Sequence, residues 1–190
     1  MTEISPLPPI ELALAPIDST MSEMSEDSFR EYCRKLSAGV AVVTTCGASG
    51  WAGTTVSTVT SVSMDPPILL CCFSLRSRTL TAIQQSRRFA IHLLADEQRD
   101  LADRFSRPPN DGARFEDLGS GVRLSHGTPV ISGTLAVAWC DLRSMEEVGD
   151  HVVVYGRLTA VRIGHGRPLL WHESSYQALE EQPDLIGSTA

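Results

Sequence analysis

Long apolar runs are missing from this sequence. No stretch approaches the about eighteen apolar residues that a membrane-spanning helix needs, so no membrane partner is expected. Basic residues are missing from the start. None precedes Arg30, which reads against a secretory signal or a transit peptide. There is no C-x-x-C. The five histidines (His92, His126, His151, His165, His172) show no ligand spacing, and His172-Glu173 is not followed by the second His of a metalloprotease helix. No metal site is expected. The dinucleotide fingerprint G-x-G-x-x-G is absent too. Gly47, Gly50 and Gly53 run G-x-x-G-x-x-G, between two strand-like segments rather than a strand and a helix. Positive charge is in short supply: 16 Lys and Arg stand against 23 Asp and Glu, a net −7. Neither nucleic acid nor an anionic membrane attracts such a chain, though a local basic cluster can still bind one phosphate.

The cysteines are odd in number: Cys33, Cys46, Cys71, Cys72 and Cys140. Cys71 and Cys72 are adjacent in a strand-like run and so point to opposite faces. Reduced, buried thiols in a cytoplasmic protein are the simple reading.

What is present suits one soluble domain with a real core: 190 residues, 42% apolar and 21% charged. Residues 1–24, broken by Pro6, Pro8, Pro9 and Pro16, read as a loosely packed arm. The domain is expected over 25–180, and 181–190 as a polar tail.

The most unusual stretch is Gly53–Pro67, GTTVSTVTSVSMDPP. Thr54, Thr55, Ser57, Thr58, Thr60, Ser61 and Ser63 carry hydroxyls, and Val56, Val59 and Val62 recur among them. It is too polar on both faces for a half-buried strand. It reads either as a strand edge facing something flat and polar, or as a Ser/Thr-rich strand beside solvent. Leu75-Arg76-Ser77-Arg78-Thr79 precedes a helix reaching Gln85, with Ser77 at the N-cap. Helix-start N–H groups, two arginines and two hydroxyls make an anion site, or else an ordinary capped helix.

Elsewhere Ser25 caps a helix with an apolar stripe at Phe29, Tyr32, Cys33 and Leu36, stopped at Gly39. Val40–Cys46, Ile68–Ser74 and Phe89–Leu94 read as strands, the last with His92 at its middle. Asp96–Phe105 reads as a helix and 107–111 as a loop whose far end Phe115 and Leu118 tether. Short strands at 122–124 and 129–131 precede a long pair, 134–145 and 151–163, joined by a turn at 146–150. Leu169, Leu170 and Trp171 form an apolar cluster before polar residues. About seven or eight strands and three short helices, mostly hairpin-connected, predict an antiparallel barrel or sandwich with helices outside.

Several motifs occur in order: G-V-x-V-V-T at 39–44, G-T-x-V-S-x-x-x-S-V-S-x-D-P-P at 53–67, and S-x-T at 77–79. After them come F-A-x-x-L-L at 89–94, D-R-F at 103–105, G-D-H at 149–151 and R-P-L-L at 167–170. The ordered set resembles the short-chain flavin reductases, many of them reductase components of two-component flavin-dependent monooxygenases. The resemblance implies a mainly β protein, an antiparallel split β-barrel of the FMN-binding flavin-reductase type with peripheral helices, acting as a homodimer. It implies NADH or NADPH as hydride donor, FMN or FAD as acceptor, and a monooxygenase as partner.

On that match Thr55, Ser57, Thr58, Thr60 and Ser61 contact the isoalloxazine ring through hydroxyls or backbone. Val59 packs near the ring, and Val56 and Ser63 belong to the same lining stretch. Ser77, Arg78 and Thr79 would hold the phosphate. His92 falls where the family often has Asn beside the flavin. His151 would lie at the nicotinamide side as the catalytic candidate, with Asp150 orienting it. The chain departs from the family at Glu173, an acid where a base is common, and at Ser86-Arg87-Arg88. Two other readings stay open: a flavin-binding module without reductase activity, and an oxidoreductase whose tightly held flavin acts directly on an organic substrate.

Overall fold

The computed structural model describes residues 24–107 and 111–179. The expected arm and polar tail lie outside these residues, apart from Met24. The chain divides into two units at the Cys33–Arg34 bond. Helix α1 (Glu26–Lys35) begins in the first. Ser25 caps it as predicted: its Oγ accepts from the Ser28 amide at 3.1 Å, and Glu26 and Asp27 occupy the first turn. The stripe forms no core, since Phe29 and Tyr32 are 51% and 66% exposed.

In the second unit, the predicted helix stop at Gly39 is a strand residue of β1 (Ala38–Gly39). The chain continues through β2 (Ala41–Gly47), β3 (Gly50–Val56), β4 (Val59–Met64), β5 (Pro67–Ser74), α2 (Arg78–Ser86) and β6 (Arg88–Leu93). Then come α3 (Arg99–Ser106), α4 (Asp111–Glu116), β7 (Val122–Ser125), β8 (Thr128–Ile131), β9 (Ala136–Val148), β10 (His151–Ile163), β11 (Leu169–His172) and β12 (Ser175–Ala178). Helix α4 replaces the end of the predicted loop and the residues after it. The β11–β12 hairpin replaces the apolar cluster. The turn expected over 146–150 shrinks to Gly149-Asp150, because β9 runs on to Val148.

Seven strands form one antiparallel sheet in the order β3-β2-β6-β9-β10-β5-β4. The first and last of these are consecutive in sequence, with only Ser57 and Thr58 between them. From Val56 to Val59 the chain reaches at most about 11 Å. Opposite edges of a seven-stranded sheet can be that close only if the sheet curls round on itself. Strands β3 and β5 share no ladder, so the barrel is split along one seam.

The curl creates two cores. Ala41, Val43, Phe73, Phe89, Ile91 and Val154 fill the barrel, and α2 adds Leu80 and Ile83. Val40, between β1 and β2, and Val42, on the other face of β2, pack with Ala102 and Phe105 of α3 and Phe115 of α4. A strand covered on both faces has no reason to alternate, which is why Val40–Thr45 reads as continuous burial. Its two hydroxyls are satisfied inside: Thr44 donates to the Pro129 carbonyl at 2.5 Å and Thr45 to that of Arg88 at 2.6 Å. Glycine marks a close approach at Gly156, where a Cβ would overlap the Phe89 ring. The β9–β10 register shifts at that point, bending the long hairpin around the barrel.

Candidate functional site

The seam between β3 and β5 opens as a cleft of about 470 Å3. Residues 53–58 form one wall and Cys72, Phe73 and Ser74 the other. Arg76, Ser77, Arg78 and Thr79 close one end, and His151, Arg107 and Arg114 also reach it. Four arginines line the cleft, and none of the described lining residues is a carboxylate. On a chain of net charge −7 this is a local positive field suited to an anion.

The walls follow from local structure. As an edge strand, β3 hydrogen-bonds to β2 alone. The Gly53 carbonyl accepts from the Arg114 guanidinium at 3.0 Å, so it points away from β2. Backbone direction alternates along a strand, so the N–H and C=O of Thr55 face the same open edge. Two of the four hydroxyls in this wall, Thr55 and Thr58, are bonded within the chain. Thr55 Oγ1 donates to the Ala102 carbonyl at 2.6 Å. Thr58 Oγ1 accepts from the Cys72 amide at 3.0 Å and so pins the strand link to β5. The stretch therefore presents the backbone edge at Thr55 together with the remaining hydroxyls of Thr54 and Ser57.

At the other end, α2 begins at Arg78 under an N-cap by Ser77, whose Oγ accepts from the Leu80 amide at 3.3 Å. The first-turn N–H groups and the helix dipole meet the arginines here. His151 opens β10 opposite Ser74. Its Nδ1–H donates to Asp150 Oδ1 at 2.8 Å, which leaves Nε2 for a ligand. That hydrogen bond holds the Asp150 carboxyl below its ordinary range. A smaller cavity of about 210 Å3 backs onto Thr55, Val56 and Ser57 and is lined by Val40, Ser106, Trp171 and Tyr176.

The structure thus gathers Thr55, Val56, Ser57, Thr58, Ser77, Arg78, Thr79 and His151 around one cleft, with Asp150 behind His151. It does not bring Val59, Thr60, Ser61 and Ser63 to it. After the two-residue link the chain has crossed to the far sheet edge, and β4 pairs with β5 outside the cleft. His92 departs furthest from expectation. It is 0% exposed; its Nδ1–H donates to the Val42 carbonyl at 3.0 Å, and its Nε2 accepts from the Ile131 amide at 3.2 Å. Both nitrogens are spent on knitting β6 to β2 and β8, and burial lowers its pKa to about 4. It is a core cross-link with no surface for a flavin.

Sequence reading passed over Arg107 and Arg114 as site residues. Arg107 follows α3 and Arg114 sits in α4, and only tertiary packing turns them towards β3. Glu173 has a structural place. With Ser174 it makes the β11–β12 turn, both residues at positive φ (48° and 60°), and its carboxylate pairs with Lys35 at 2.5 Å. The buried thiols are unreactive, since burial raises the Cys71 pKa above its ordinary range and that of Cys140 to about 12. No metal-binding cluster occurs among the described residues.

Fold and cleft together define an antiparallel split barrel with an arginine-lined cleft along its seam. The chain belongs to the family described as "Flavin reductase like domain", whose model matches residues 33–180. A Rhizobium meliloti (strain 1021) protein named "Probable flavin reductase" is 37% identical over 70% of this chain, which spans 42% of that longer protein. The reductase subunit HsaB of a flavin-dependent monooxygenase from Rhodococcus jostii (strain RHA1) is 32% identical, covering 80% of this chain and 77% of its own. A "Flavin reductase (NADH)" of Kitasatospora aureofaciens is 34% identical over 96% of this chain and 97% of its own. Among solved structures, BorF, the flavin reductase component of a bacterial two-component tryptophan halogenase, superposes with a TM-score of 0.76. It is 27% identical, covering 83% of this chain and all of that one (100%).

Proposed function

We propose that this protein uses NADH or NADPH to reduce FMN or FAD and supplies the reduced flavin to a partner monooxygenase. One observation carries the reading: a single cleft joins an open backbone edge, an apolar side at Val56 and Phe73, and a capped helix start among arginines. A flat heteroaromatic ring with a phosphate tail asks for that combination. The relatives' names point the same way, to flavin, to NADH and to a monooxygenase.

Ser77, Arg78 and Thr79 hold the phosphate. The β3 edge at Thr55 and the link Ser57-Thr58 meet the ring's polar rim, and Val56 and Phe73 cover part of its surface. Bound flavin supplies the acceptor for a hydride. The chain's task is to hold donor and acceptor face to face and to steady developing negative charge with backbone N–H groups. His151 Nε2 positions the nicotinamide, and Asp150 keeps its proton on Nδ1. No general acid–base pair is required.

The homodimer implied by the resemblance belongs to the same proposal. Val62 and Met64 of the edge strand β4 are 48% and 85% exposed, in keeping with a covered surface in a pair. No helix among the described residues is long and apolar enough to cross a membrane. Five unpaired cysteines favour the cytoplasm.

The test is anaerobic mixing of the protein with excess FMN or FAD and then NADH or NADPH, following the oxidised-flavin absorbance. Catalytic bleaching of the excess flavin is expected. Bleaching of a single equivalent would show a retained flavin, and flavin binding without bleaching would refute the reductase reading.

A further inference from the structure

Where the cleft ends at α2, a second groove begins, and Arg78 lines both. The groove has a volume of about 740 Å3, within the range of small-molecule pockets. One wall is α2 beyond its N-terminus, through Thr81 and Gln85, which lie four residues apart and so on one face. The other is the β2–β3 hairpin with Trp51, and α4 adds Phe115 and Glu116. A ligand whose phosphate rests at Ser77–Thr79 and whose chain continues past Arg78 therefore enters this groove. FMN ends at its phosphate. FAD continues with a second phosphate, a ribose and an adenine.

The groove offers what an adenine binds. Trp51 is half-buried and held edge-on against Phe115, with ring centroids 5.4 Å apart and planes at 78°, a fixed aromatic surface beside the opening. The Gln85 carbonyl oxygen accepts from the Ala48 amide at 3.0 Å. That bond orients the side chain and leaves its two N–H donors for a base. Glu116 is an acceptor for an exocyclic amine. Arg78, between the two spaces, is placed to meet the pyrophosphate.

We propose that this groove is the adenosine subsite for FAD, and that the protein discriminates FAD from FMN through it. The inference rests on the flavin reading of the cleft. The other occupant of like chemistry is the ADP half of the nicotinamide nucleotide, and the test separates the two.

The experiment measures dissociation constants for FMN and FAD on the full chain by quenching of flavin fluorescence, without turnover. The wild type is expected to bind FAD about tenfold or more tighter than FMN, the scale of one base–aromatic stack. Thr81→Phe fills the groove from the exposed face of α2, and the ratio of the two constants is expected to fall towards one. Free adenosine is expected to compete with FAD and not with FMN, a readout that needs no variant. Equal constants in the wild type, or an unchanged ratio in Thr81→Phe with no adenosine competition, would overturn the proposal and leave the flavin cleft standing. An unchanged ratio with a raised KM for NADH would assign the groove to the nicotinamide nucleotide and overturn it likewise. If neither flavin binds, the cleft reading falls, and this proposal with it.

Discussion

Thr58 Oγ1 lies 3.0 Å from the Cys72 amide nitrogen and accepts its hydrogen bond. It stands in the two-residue link that carries the chain from one edge of the sheet to the other. Here the open seam is latched, just beside the place where it widens into the cleft. The latch sets the distance between the cleft walls. Thr58→Ala is expected to cost about 1 kcal/mol of stability, the net value of one hydrogen bond, and to weaken FMN binding several-fold. Thermal melts and fluorescence titration of the same sample check this. Full FMN affinity in the variant would show that the latch does not shape the site.

The phosphate reading is tested at Arg78. Arg78→Gln is expected to raise the FMN dissociation constant about tenfold or more, since hydrogen bonds to charged groups contribute about 1.5–3 kcal/mol. Riboflavin, which lacks the phosphate, should bind wild type and variant alike. An equal loss for both ligands would mean that the arginine shapes the cleft and does not meet the anion.

His151 is expected to act on turnover. On the proposed role at the nicotinamide, His151→Ala should lower kcat or raise the KM for NADH while the flavin dissociation constant stays within about twofold. His151→Asn, which keeps a side-chain hydrogen-bonding group, should recover part of the loss. A drop in melting temperature with unchanged kinetics would make it a hairpin residue only.

His92 predicts a pH dependence. Burial holds its pKa near 4, against 6.5 for a solvated histidine. Between those values the unfolded chain takes up a proton that the folded chain refuses. Its contribution is therefore complete above about pH 6.5 and is lost as the pH falls towards 4, by about 3 kcal/mol in all. The Asp150 and Glu173 carboxyls are held below their ordinary 3.8 and 4.5, so what they add is complete above those values and is lost only as the pH falls below them, at or under the acid end of the His92 window. Urea unfolding from pH 7 to pH 4 should show the decline, and His92→Gln should flatten it while lowering stability at pH 7. A flat wild-type profile would contradict the buried neutral ring.

Gly53 permits α3 to sit against β3. A Cβ there would lie 2.8 Å from the Phe105 ring and 3.1 Å from that of Phe115. Gly53→Ala is expected to destabilise by about 2 kcal/mol through overpacking and to displace Arg114 from the Gly53 carbonyl, weakening flavin binding as well. Unchanged melting and binding would show that the two rings yield without cost.

Much of this was written locally. Helix α2, its Ser77 cap and the arginines around it follow from a few adjacent residues, because capping and dipole are effects of one turn. The two-faced burial of β2 shows in the run Val40–Val43, which does not alternate with polar residues. Motif order alone placed the chain among flavin reductases. The hydroxyl-rich stretch was legible as unusual, but its division was not. Residues 53–58 line the cleft, and 59–64 lie outside it. That boundary depends on the sheet curling until its opposite edges stand two residues apart, a property of seven strands together. His92 was set beside the flavin by the resemblance alone, and a match of position does not reveal that this ring is bonded at both nitrogens across three strands. Arg107 and Arg114 carried no signal, since whether a charged side chain points to solvent or to a neighbouring strand is decided only when α3 and α4 pack. Local chemistry determined what kind of molecule this chain can hold. Long-range packing decided where the cleft lies, because a cleft is a gap between segments and belongs to none of them.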